Sequence, residues 1–135
     1  MKIALIAHDK KKDDMIKRKQ IIEKSGAELV ISIHMNSFPL KSCRGSQVFY
    51  KDGDENSFRL ASSIQDCFVS SIESARKNID KGDYYILNCS EYPSVIAECG
   101  FLSNSEDEAL LITEEYQNAV AYAIFKGIAT YLAQL

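Results

Sequence analysis

Two histidines and one glutamate occupy the positions from which an α/β chain most readily does chemistry. His8 follows the apolar run Ile3–Ala7, His34 ends the run Glu28–His34, and Glu98 lies in the run Ser94–Gly100. Each run is short, apolar and rich in β-branched residues, the signature of a buried strand. Ligands of open α/β sheets gather beyond the carboxyl ends of strands. Two imidazoles and a carboxylate meeting there have the donor types to hold a zinc ion or to share a proton transfer. Spacing alone does not separate this from a plainer reading, in which a strand-end histidine is a loop or packing residue and Glu98 a solvated carboxylate. The chain has only two histidines, so their placement carries little information by itself.

The elements that must position these residues can be read from periodicity. A helix is expected over Asp13–Ser25, started by Asp13 or Asp14 and closed by Gly26, with Met15, Ile21 and Ile22 as its apolar positions. Gln47–Tyr50 reads as a short strand, and Asp52-Gly53-Asp54 as a turn. Leu60, Ile64, Phe68 and Ile72 recur at helical spacing within a second helix over Asn56–Ser74. Asp83–Leu87 reads as a strand, with Tyr84 and Tyr85 packing one inward and one outward. Ser103-Asn104-Ser105, followed by Glu106, Asp107 and Glu108, reads as the cap and acidic first turn of a short helix. Val120, Ile124, Ile128 and Leu132 mark a long amphipathic helix from Glu114 to the end. Strands alternating with helices predict one α/β domain over 1–135, three-layered, with a mainly parallel sheet flanked by helices.

Composition narrows the function classes. A formal net charge of -3 gives no basic footprint for nucleic acid, and Lys10–Lys12 is followed at once by Asp13 and Asp14. No apolar stretch approaches the roughly 20 residues that span a bilayer. Lys2–Ala7 is too short for the apolar region of a signal peptide. None of Cys43, Cys67, Cys89 and Cys99 forms a C-x-x-C pair, so free and mostly buried thiols are expected. Cys99 has no basic partner placed beside it by the sequence and reads as packing rather than as a nucleophile.

Two ordered segments carry a family resemblance. Lys19–Ser37 resembles the helix–strand block of the zinc-dependent N-acetylmuramoyl-L-alanine amidases, whose strand ends in Ser-Ile-His-x-Asn; here the residues are Ser32-Ile33-His34-Met35-Asn36. Glu98-Cys99-Gly100-Phe101-Leu102-Ser103-Asn104 resembles that family's second signature, E-x-G-F-L-S-N. Arg44–Tyr50 and the tail after Glu114 are similar too, so the resemblance covers about residues 17 to 135 and points to the sporulation and germination branch. It implies that His34 binds zinc, that Glu98 is the catalytic carboxylate, and that Asn36 and Ser37 shape the rim beside His34.

The first 16 residues depart from the pattern. The family opens with a strand and Pro-Gly-His-Gly-Gly, whose histidine is the first zinc ligand, and a glutamate on the next helix is the second. Neither is present in this chain. Residues 1–16 instead resemble the N-terminus of methylglyoxal synthase, without that enzyme's Gly-Thr-Thr-Gly phosphate loop. If Ile3–Ala7 is still the sheet's first strand, His8 takes the place of the first histidine, and Asp9, Asp13, Asp14 or water stands in for the glutamate.

The resemblance thus implies a zinc-dependent hydrolase cutting the amide between N-acetylmuramic acid and L-alanine in peptidoglycan. It also implies an extracytoplasmic setting, in cell wall or spore cortex, and leaves room for an activator protein. One rival reading is a catalytically incomplete murein-binding paralogue of the same fold. Another is a methylglyoxal synthase-like lyase, and a third a chimera joined near Met15–Lys17.

Overall fold

The computed structural model describes residues 1–7 and 12–135, and the side chains of Ala7 and of 12–14 are outside that description. His8 and Asp9 therefore lie outside the described residues, as do the side chains of Asp13 and Asp14. The order of elements is β1 (Ile3–Ala7), α1 (Lys12–Ser25), β2 (Leu29–Asn36), β3 (Gln47–Tyr50), α2 (Glu55–Ser71), β4 (Asp80–Lys81), a 3-10 turn (Tyr85–Asn88), β5 (Ser94–Phe101), α3 (Ser105–Leu111) and α4 (Glu114–Leu132). The five strands form one sheet in the order β1-β2-β5-β3-β4. β1, β2 and β5 run parallel, β3 is antiparallel to β5, and β4 is parallel to β3.

Alternation along the strands builds two cores on one sheet. Ile31, Val95 and Ala97 face α2 and α4, packing with Leu60, Ile64, Phe68, Val120, Ile124 and Tyr131. Val30 and Ile96 face the other way, toward Ile22 of α1 and Ile86, Leu87 and Cys89 around the 3-10 turn. The sheet is thus a middle layer between helices, as the sequence predicts. Helices α2 and α4 cross closely at Gly127, where an added Cβ would stand 2.5 Å from Ile64 Cα.

Local polar chemistry fixes the ends of the elements. Asp54 caps α2 by accepting from the Ser57 amide at 3.0 Å and from its hydroxyl at 2.7 Å. That same hydroxyl oxygen accepts from Ser94 N at 2.9 Å, tying the helix to the start of β5. Asn104 caps α3, its Oδ1 accepting from Glu106 N and Asp107 N, while its Nδ2 donates to Lys41 O at 2.8 Å. At the end of α1, Gly26 takes φ +63° as the expected helix stop.

Two expectations are corrected. Asp83–Leu87 is not a strand: a two-residue strand precedes it, and Tyr85–Asn88 is a 3-10 turn. Adjacent Ile86 and Leu87 are both buried, which a turn allows and a strand's alternation forbids. Tyr84 and Tyr85 are accordingly both exposed, not one in and one out. In α1, Ile22 enters the core while Ile21 points to solvent. The other elements lie within a few residues of their expected bounds. Among the described residues, no helix is long and apolar enough to cross a membrane.

Candidate functional site

β2 and β5 are neighbours in parallel register, and that register sets His34 directly opposite Glu98. Opposed residues on paired strands share a face, here the α1 face of Val30 and Ile96. His34 Nδ1 lies 3.9 Å from Glu98 Oε1, both side chains largely buried. The other ring nitrogen, Nε2, is 2.8 Å from Ser32 Oγ, a hydroxyl two residues back on the same strand face. Ser32 is completely buried, so this bond fixes the imidazole against the sheet. A hydrogen bond at one ring nitrogen sets which face of the imidazole chemistry the other presents.

Immediately past this pair the ladder is irregular. The register shifts between His34 and Asn36, so that Asn36 pairs with Phe101. Asn36 accepts a backbone bond from Leu102 at 2.8 Å, and its side-chain oxygen accepts from Ser37 N at 2.8 Å. The structure thus puts Asn36 and Ser37 at the strand end beside His34. Phe38 N donates to Ser103 Oγ at 2.9 Å, closing the following loop onto the end of β5.

A third strand completes the other flank. Gln47 of β3 stands opposite Glu98 in the antiparallel register. Its Nε2 donates to Asn78 O at 2.9 Å and its Oε1 accepts from Arg76 Nη1 at 3.2 Å. Tyr84 is close enough that the Glu98 charge, after burial, raises its phenol above the ordinary range. Beneath the rim lies Asp107, 1% exposed, whose Oδ2 accepts from both Gly45 N at 2.8 Å and Phe101 N at 2.9 Å. Gly45 has φ +100°, and a Cβ there would meet Ser74 O at 2.3 Å, so only glycine fits the approach.

Sequence reasoning missed Ser32, Gln47, Arg76 and Asp107 as parts of this region. Ser32 was findable, since alternation puts i and i-2 on one face. Gln47, Arg76 and Asp107 reach it only through contacts distant in the chain, between Arg76 and Arg44 and between Asp107 and Gly45. Cys99, beside Glu98, is a buried free thiol whose pKa is pushed up to about 12, first by burial and then by the Glu98 charge. A thiol held neutral in this way is no nucleophile at neutral pH.

His34 and Glu98 line neither of two larger hollows, of about 790 and 770 Å³. The first, lined by Gly26, Ala27, Asp54 and Tyr92 among others, is at the opposite ends of β2 and β5.

An α/β sheet presenting imidazole and carboxylate at adjacent strand ends is the frame of a hydrolytic or metal-assisted site. The chain belongs to the N-acetylmuramoyl-L-alanine amidase family, whose model matches residues 1–130. That match begins at residue 1, so it covers the opening stretch too and does not favour the methylglyoxal synthase-like lyase. A germination-specific N-acetylmuramoyl-L-alanine amidase of Bacillus subtilis (strain 168) is 35% identical over 127 residues, covering 93% of this chain and 53% of the relative. The uncharacterized protein YqiI of the same organism is 42% identical over 110 residues, covering 80% of this chain and 53% of its own length. Among solved structures, the CwlD amidase from Clostridioides difficile in complex with the GerS lipoprotein superposes with a TM-score of 0.86 at 36% identity, covering 91% of this chain and 64% of that one. The chain spans about half the length of these curated relatives.

Proposed function

We propose that residues 1–135 form one catalytic domain that hydrolyses the amide joining N-acetylmuramic acid to L-alanine in peptidoglycan, in an extracytoplasmic setting. The observation that carries this reading is the His34–Glu98 pair, 3.9 Å apart at the ends of adjacent parallel strands, in a chain of the amidase family. Glu98 is the proton carrier: its carboxylate takes a proton from the attacking water and delivers it to the leaving L-alanine nitrogen. Ser32 holds the His34 ring in place, and Asn36 and Ser37 shape the rim that receives substrate.

Zinc belongs to the proposal as the cofactor, with His34 as one ligand and His8 as another. A bound zinc polarises a carbonyl and makes its water more acidic. A catalytic zinc takes three protein ligands, and among the described residues no group of three metal-binding side chains is assembled. His34 and Glu98 therefore do not make the site by themselves. His8, Asp9, Asp13 and Asp14 are the residues left to complete it.

The rival, a murein-binding paralogue without activity, shares every feature of the fold. Metal analysis of the purified protein, paired with digestion of muropeptides, separates the two. The amidase reading expects zinc near one per chain and release of free peptide from N-acetylmuramoyl peptides. Muropeptide binding without release, in zinc-supplemented protein, would leave the paralogue standing. Stoichiometric zinc retained in His8→Ala would remove His8 from the ligand set. Because CwlD is described in complex with a lipoprotein, the digestion is best read also with a candidate activator of that kind.

A further inference from the structure

Resting on the peptidoglycan reading, we propose that Arg76 is a substrate-recognition residue that grips the α-carboxylate of the stem peptide's second residue. Three contacts fix its guanidinium. Nε donates to Arg44 O at 3.0 Å, Nη1 donates to Gln47 Oε1 at 3.2 Å, and the central carbon lies 5.1 Å from the centroid of the Phe101 ring. Two of these anchors border the candidate site. Gln47 is the antiparallel partner of Glu98, and Phe101 is the parallel partner of Asn36. The cation is therefore held beside the flank of Glu98 away from His34.

Its charge is not compensated within the described residues. Arg44 is ion-paired with Glu106 and Asp107, Lys81 with Asp52, and Lys19 with Glu23, whereas no described carboxylate lies within salt-bridge distance of Arg76. A guanidinium has five N–H donors in a planar fork, and the two bonds above use only part of it. Such a fork, half-buried and immobilised in advance, matches a carboxylate bidentately and loses little freedom on binding one.

The chemistry of the substrate says which half supplies the anion. The lactyl carboxyl of the sugar is consumed in the scissile amide, so the sugar half offers no carboxylate there. The peptide half does. Arg76 thus orients the peptide, while Glu98 and His34 work on the bond that joins it to the sugar.

The test compares two ligands that differ in one group, N-acetylmuramoyl-L-alanyl-D-glutamic acid with a free α-carboxylate and its α-amide, N-acetylmuramoyl-L-alanyl-D-isoglutamine. Kd is measured by calorimetry for the chain with wild-type Arg76, for Arg76→Gln and for Arg76→Lys, each carrying Glu98→Gln so that the ligands are bound without being cleaved. The wild type is expected to favour the acid by about tenfold, the scale of one charge-assisted contact. Arg76→Gln should bind both alike, at the level of the amide. Arg76→Lys keeps the charge without the fork and should retain only a fraction of the preference, so the result does not hang on the glutamine variant folding. Equal wild-type affinity for the two ligands, or an undiminished preference in the lysine variant, overturns the proposal and leaves the amidase reading intact. Binding of neither ligand by the wild type overturns both.

Discussion

Glu98 of β5 faces His34 of β2 in one direction and Gln47 of β3 in the other, so the carboxylate sits at the centre of a three-strand row. His34 contacts it through Nδ1 while Nε2 is tied to Ser32. Glu98→Gln preserves the shape of this row and removes the proton carrier. Muropeptide hydrolysis should fall by about a hundredfold to ten-thousandfold, with the circular dichroism spectrum and melting temperature little changed. Hydrolysis at the wild-type rate would take Glu98 out of the mechanism.

Asp107 holds two distant backbone segments at once, through Gly45 N and Phe101 N, and ion-pairs with Arg44. Asp107→Ala leaves two buried N–H groups and part of a guanidinium without their acceptor. A loss of about 2–5 kcal/mol is expected, seen as a fall in Tm of roughly 5–15 °C. Asp107→Asn, which keeps an acceptor oxygen, should lose less. Equal stability of the alanine variant and the wild type would show that this clasp is dispensable.

Gly127 permits the close crossing of α2 and α4. A methyl group there meets Ile64 backbone at 2.5 Å and cannot be relieved by turning a side chain. Gly127→Ala should therefore lower the urea midpoint, by about 1–3 kcal/mol of stability, although alanine is the better helix former by about 1 kcal/mol. An unchanged or raised midpoint would mean that the helices separate freely.

The Cys99 thiol, ordinarily near 9.0, is raised to about 12 in the folded chain. An acid whose folded pKa is raised lends stability that is fully present below about pH 9 and is lost as pH climbs toward 12, because the unfolded chain ionises first. Unfolding free energy should decline over that window, and less steeply in Cys99→Ala. Iodoacetamide near neutral pH should label Cys99 only after denaturation. Fast labelling in the native state would contradict the burial described.

Much of this molecule was legible from the chain alone because its signals are local. The Leu60, Ile64, Phe68 and Ile72 spacing marks a helix face wherever that helix docks, and all four are buried as that spacing implies. Asn104 and Gly26 act at helix ends through groups a few residues away. The run Tyr84–Leu87 misled for the opposite reason. Its composition favours a strand, but two neighbouring apolar residues both met the same core, and tertiary packing overrode local preference.

The sequence by itself determined the elements, the alternation that turns His34 and Glu98 to one face of their strands, and the family signatures around them. Only the tertiary structure decided that β2 and β5 are neighbours in a register pairing those residues, with Gln47 on the far side and Arg76 and Asp107 brought in across the chain. Periodicity depends on neighbours a few positions away, whereas strand order and register are set by how whole faces bury against one another.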